Sequence, residues 1–123
     1  MNGVELVERA EAAAANAYAP YSKYHVGASL LTLDGRIFDG VNVENAAYPL
    51  GVCAEKSAIA AAAHAGVRPG DVEAIGITAS PCGGCRQWLH EWRIGRVTFR
   101  RADGTIAEYR ADELLPDTWD LPE

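Results

Sequence analysis

Three cysteines constrain the fold of this chain more than any other feature. Cys53 opens the run Cys53-Ala54-Glu55, and the other two lie in Pro81-Cys82-Gly83-Gly84-Cys85. Each cluster stands where a helical stretch begins. A fold that joins the three sulfurs must therefore bring two helix N-termini to one point. Unpaired N–H groups and the positive end of the helix dipole at such a point lower thiol pKa and favour thiolate. Three thiolates are one ligand short of a closed tetrahedral zinc site, and zinc held by three protein ligands keeps its fourth position for water. Glu55 is the kind of group that moves the protons of that water. Lys56 and Arg86 stand close in sequence and could offset the net charge of −1 that three thiolates leave on Zn²⁺. Taken alone, Cys82-x-x-Cys85 between a strand and a helix equally fits a thioredoxin-like redox pair, a structural metal site or a catalytic one. The third cysteine, followed by Glu55, shifts the balance to catalytic zinc.

Around these clusters the hydrophobic pattern gives the order α-β-β-α-β-α-β-β. Val4, Val7, Ala10, Ala14 and Ala17 recur at helical spacing and predict a helix over 4–16, ended by Pro20. Residues 26–32 and 36–43 read as a β-hairpin turned by Asp34-Gly35. Residues 42–49 leave it as a polar loop. A second, Ala-rich helix is predicted over 53–65, with Gly66 at its C-terminal end. Residues 72–78 form a buried strand, and 82–92 a third helix opened by Ser80-Pro81. Residues 96–101 and 105–110 form a last pair of strands around Asp103-Gly104, antiparallel rather than joined by a crossover. A short helical turn is predicted over 112–115, stopped by Pro116. Helices alternating with strands imply a layered α/β domain with a mixed sheet. No internal repeat, linker or low-complexity tract interrupts it, so residues 1–123 are expected to form a single domain.

The balance of 11 basic against 17 acidic residues gives a formal charge of −6. That argues against a nucleic-acid partner, which needs clustered Lys and Arg. No apolar run approaches the roughly 20 residues that cross a bilayer, so no membrane partner is expected. The acidic, Ala-rich start lacks the order of a signal peptide. Free thiols fit a reducing cytoplasm. His25, His64 and His90 have no ligand spacing to one another and read as surface or helix-face residues. Trp88 and Trp92, four apart, read as core or subunit packing.

The sequence resembles the small zinc-dependent cytidine deaminases of nucleoside salvage. The resemblance runs from Tyr18 to Trp119. Its blocks are Tyr18-Ala19-Pro20-Tyr21-Ser22, Val26-Gly27-Ala28, Asp34-Gly35, Asn42-Val43-Glu44-Asn45, Cys53-Ala54-Glu55, Pro81-Cys82-Gly83-Gly84-Cys85-Arg86-Gln87 and Leu114-Leu115-Pro116. It implies a three-layer α/β/α domain around a mixed five-stranded sheet. It also implies one Zn²⁺ per subunit on Cys53, Cys82 and Cys85, with Glu55 as the proton shuttle. The reaction implied is hydrolysis of cytidine or 2′-deoxycytidine to uridine or 2′-deoxyuridine and ammonia, in pyrimidine salvage. Asn42 and Glu44 match ribose ligands, the Ala54 N–H a donor to the pyrimidine O2, and Tyr24 an aromatic beside the base. Relatives of this length are commonly homotetramers, and Ala46, Tyr48 and Trp119 match positions that serve a neighbouring subunit's site.

Each of these residues also has a plainer reading. Tyr24 could be a strand-end core tyrosine, Asn42 and Glu44 turn residues, and Arg86 a surface cap or ion pair. Two departures from the family pattern matter, one for substrate and one for the charge at the cysteines. The segment 78–81 is several residues shorter than in relatives, which implies a more open mouth on the base side. Lys56 stands where relatives often carry Arg, and a point charge replaces a planar fork of donors. Weaker charge compensation by Lys56 is therefore expected, unless it donates to two sulfurs. Leu50-Gly51-Val52 also differs from the Thr-containing run of relatives. Two alternatives accompany cytidine: a modified cytidine or blasticidin-type nucleoside as substrate, and a non-enzymatic zinc-binding interaction domain.

Overall fold

The structure, a computed structural model, describes residues 1–121. Its elements are α1 (Gly3–Ala14), β1 (Gly27–Thr32), β2 (Ile37–Val41), a 3-10 turn (Tyr48–Leu50), α2 (Ala54–His64), β3 (Val72–Ile77), α3 (Gly83–Glu91), β4 (Arg96–Arg100), β5 (Ile106–Tyr109) and α4 (Ala111–Leu114). The five strands form one mixed sheet in the order β2-β1-β3-β4-β5. The β1–β2, β1–β3 and β4–β5 pairs are antiparallel, whereas β3 and β4 run parallel across the α3 connection. Both hairpins form at the Asp-Gly turns, with Gly35 and Gly104 in the left-handed region.

Alternation along the central strands divides the core in two. Leu31 and Ala74 face α1 and meet Leu6. Ala28, Leu30, Ile75, Ile77, Val97 and Phe99 face the other way, onto Ala54, Ala58, Ile59 and Ala62 of α2 and Leu89 of α3. Every residue of β1 is buried because both faces are covered. The result is the α/β/α layering that the sequence implies.

Small residues set how closely the helices approach. A Cβ on Gly40 of β2 would lie 2.5 Å from the Ala54 carbonyl oxygen of α2. One on Gly76 of β3 would lie 2.5 Å from the Leu6 carbonyl carbon of α1. Both glycines are where helix backbone rests directly on strand backbone. Asn2 caps α1: its Oδ1 accepts from the Glu5 N–H at 2.8 Å, and Glu5 Oε1 accepts from the Asn2 N–H at 3.0 Å.

The predicted elements are found with shifted ends. The first helix stops at Ala14 rather than Asn16, because the chain beyond it pairs with the segment leaving β2. There the Tyr18 N–H donates to Asn42 O at 3.0 Å, and the Glu44 N–H donates to Tyr18 O at 2.9 Å. The second and third helices begin one residue late, since Cys53 and Cys82 are their N-caps. The predicted loop contains the 3-10 turn with Pro49. Beyond it Val52 bridges back to Val43 through two hydrogen bonds of 2.9 Å. That bridge delivers Cys53 to the end of the sheet where β3 leads into Pro81.

Candidate active site

Two helix starts meet at this end of the sheet. Cys53 caps α2, Cys82 caps α3, and Cys85 lies in the first turn of α3. Their sulfurs all lie within 4.8 Å of one another. Zn–S bonds of about 2.3 Å in a tetrahedron put sulfurs about 3.8 Å apart. The donor set and its size therefore fit a zinc ion. Cys85 is buried, Cys53 half-buried and Cys82 exposed.

The environments of the thiols differ. Burial pushes Cys53 and Cys85 up, and in both the neighbouring Glu55 carboxyl adds to the rise. Burial acts on Cys82 in the same direction, but donors outweigh it: the Cys85 backbone N–H, whose nitrogen is 3.5 Å from Cys82 Sγ, and then the other two cysteines. The helix start of α3 thus favours thiolate at Cys82.

Glu55 is 4% exposed. Burial pushes its carboxyl above the ordinary value, against the opposing pull of its own backbone N–H, Cys85 and Lys56. A buried carboxyl beside three sulfurs, at the end of an open cavity, can hold and release a proton. The cavity, about 280 Å³, is lined by Glu55, Cys53, Cys82, Tyr24, Asn42 and Glu44, among others. Ala54 also lines it and is fully buried at the first position of α2, a helix with no side-chain cap. The first N–H groups of such a helix have no partner within it.

Asn42 and Glu44 reach the cavity but also hold its wall. Asn42 Oδ1 accepts from the Val26 N–H at 2.8 Å, and its Nδ2 donates to Tyr24 O at 2.9 Å. Glu44 accepts from the Tyr21 and Ser22 N–H groups at 3.0 and 3.1 Å and from the Ser22 hydroxyl. Ser22 donors, the hydroxyl foremost, hold the Glu44 carboxyl below the usual range. Tyr24 is no core residue: it is 61% exposed, on the loop before β1.

Of the cations expected to offset the cysteines, Arg86 is directed elsewhere. It donates to Pro81 O at 2.8 Å, Leu114 O at 3.1 Å and Ser80 Oγ at 3.2 Å. Its fork ties the Pro81 turn to α4, since two carbonyl oxygens and the Ser80 hydroxyl accept its donors. Lys56 Nζ lies 5.9 Å from the centre of the Trp88 ring. Ala46, Tyr48 and Trp119 are exposed, Tyr48 at 74% and Trp119 at 69%. Ala79 and Ser80 of the short 78–81 segment line the cavity, and so do Ser22, Val26 and Ile77, for which the sequence gives no role of their own. Ser22 and Val26 fall within the Tyr18–Ser22 and Val26–Ala28 blocks, which is the sequence signal for them.

The sheet, the paired helix starts and the thiol cluster with its buried carboxyl define a class: α/β proteins with a three-sulfur metal site open to a cavity. Residues 2–101 match the family described as the cytidine and deoxycytidylate deaminase zinc-binding region. The cytidine deaminase of Sporosarcina psychrophila is 40% identical over 94% of this chain and 90% of its own length. That of Mycobacterium tuberculosis (strain H37Rv) is 38% identical over 90% and 84%. The crystal structure of cytidine deaminase from Burkholderia pseudomallei superposes with a TM-score of 0.90 at 42% identity, covering 97% of this chain and all of that one. The chain belongs to the cytidine and deoxycytidylate deaminase family, and its cofactor is zinc.

Proposed function

We propose that the chain is a hydrolase that converts cytidine and 2′-deoxycytidine to the corresponding uridines and ammonia. The observation that carries this reading is Glu55, buried beside three converging sulfurs on a cavity near the lower end of small-ligand pocket sizes, about 300 Å³. Cys53, Cys82 and Cys85 would hold the zinc, which when bound acts as a Lewis acid and lowers the pKa of water. Glu55 would carry one proton from the attacking water to the ring nitrogen and a second, from the hydroxyl then added at C4, to the amine, which leaves as ammonia. The Ala54 N–H meets the pyrimidine O2, and Tyr24 packs beside the base. Asn42 and Glu44 grip the ribose hydroxyls. A purely structural zinc domain would have no use for a carboxyl buried at this point.

The relatives named cytidine deaminase support the choice of base. Ala79 and Ser80 present small side chains at the short loop, which favours tolerance of a substituted base. A panel of cytidine, deoxycytidine, methylated cytidines and blasticidin, read by absorbance loss and ammonia release, ranks the two readings. Residues 1–123 act as a single catalytic domain, as the one shared sheet supports. We assign the chain to pyrimidine salvage in the cytoplasm, a compartment that suits free thiols. Among the described residues no helix is long and apolar enough to cross a membrane. A homotetramer would cover the exposed Tyr48 and Trp119 and bring Ala46 to a neighbouring site. The decisive variant is Glu55→Gln. It should retain zinc and lose ~10²–10⁴-fold in kcat; undiminished turnover on cytidine would sink the assignment.

A further inference from the structure

Three thiolates on a divalent zinc leave a negative charge, and burial of Cys85 and Glu55 makes that charge harder to solvate. A cation nearby would offset it. Arg86 has its donors on Pro81, Leu114 and Ser80, which leaves Lys56 as the cation facing the cluster. A Cβ on Gly84 would meet Lys56 Nζ at 3.9 Å and Cys82 Sγ at 4.0 Å. The ammonium and the sulfur therefore border the same small gap. Lysine is a flexible point charge and does not hold such a place unaided. Among the described residues no carboxylate forms an ion pair with Lys56. Its ammonium instead lies over the indole of Trp88, 5.9 Å from the ring centre, within cation–π range.

Trp88 lies on the first turns of α3, the helix that also carries Cys85, and it is 39% exposed. Trp92, one turn on, packs against the core. Core packing thus accounts for the second tryptophan and not for the first. An indole face is the strongest aromatic partner for a cation. Its position on α3 ties the Lys56 side chain of α2 to the helix that bears two of the three thiols.

We propose that Trp88 is a positioning residue: its indole holds the Lys56 ammonium at the gap beside Cys82, so that a fixed positive charge faces the zinc-thiolate cluster. The idea rests on the zinc assignment above and not on the choice of substrate. It calls for a double-mutant cycle read by zinc release from the holoenzyme to a chromogenic chelator, with cytidine turnover measured in parallel. Trp88→Leu should release zinc about 2- to 5-fold faster, and Trp88→Phe should recover most of the difference. In a Lys56→Ala background, Trp88→Leu should add nothing, because the cation it orders is gone. Equal effects of Trp88→Leu with and without Lys56 would overturn the proposal, as would a Trp88→Phe variant no better than Trp88→Leu. Protein that cannot be loaded with zinc would overturn both this proposal and the proposed function. Zinc-loaded protein inert on cytidine would overturn only the substrate, since zinc release still reads the coupling.

Discussion

Ser22 shows how much one side chain can do without carrying a chemical role of its own. Its hydroxyl and its N–H both donate to Glu44, and Glu44 in turn holds the Tyr21–Ser22 backbone against the cavity. The Ser22 hydroxyl is the main cause of the depressed Glu44 carboxyl, followed by the Ser22 N–H. A carboxyl lowered in the folded state stabilises the fold above its unfolded pKa, about 4.3. That contribution fades as pH falls through and below this value. Melting temperatures of the wild type and Ser22→Ala, compared from pH 6 to pH 3, should therefore differ most near pH 6 and converge toward pH 3. A gap that widens on acidification would contradict the sign. The Asn42 and Glu44 positions were legible as a motif in the sequence. Their hydrogen bonds to Val26, Tyr24, Tyr21 and Ser22 were not, because those partners lie about twenty positions away and meet only across the fold.

At the scale of elements, α2 is placed by what β2 lacks. Gly40 allows the Ala54 carbonyl and the Ala58 N–H to sit on the strand, and this seats the N-terminus of α2 with Cys53 and Glu55. A methyl group there meets backbone, which cannot rotate away. Gly40→Ala should cost about 1–3 kcal/mol of stability by overpacking. It should also lower zinc content and turnover, because α2 must shift as a unit. Denaturant unfolding and metal analysis of the purified variant check both; full stability with normal zinc would refute the account. Existence and type of every long element followed from periodicity and from the Asp-Gly turns. Their ends did not. The first helix yields Asn16 because the backbone after it gains sheet-like bonds to Asn42 and Glu44, a competition visible only when both segments are folded.

For the molecule as a whole, the surface that stands out is an exposed aromatic side. Tyr18, Val43 and Val52 are joined by backbone bridges, and the Tyr21 and Tyr48 rings meet edge to face with centroids 6.2 Å apart. All five residues are exposed, and their surface suits burial against another copy. Light scattering on the purified protein should give four times the chain mass. Tyr48→Asp should shift it to smaller species with reduced activity; an active wild-type monomer would remove the tetramer from the proposal. Sequence alone determined the alternation of elements, the three thiols with their carboxyl, and the helix starts that carry them, because periodicity, turn chemistry and ligand type are local properties. Tertiary structure decided the strand order β2-β1-β3-β4-β5, the diversion of Arg86 to the Pro81 and Leu114 carbonyls and the pairing of Lys56 with Trp88. Each of these depends on which distant groups become neighbours once apolar surface is buried, and no local pattern in a chain records that.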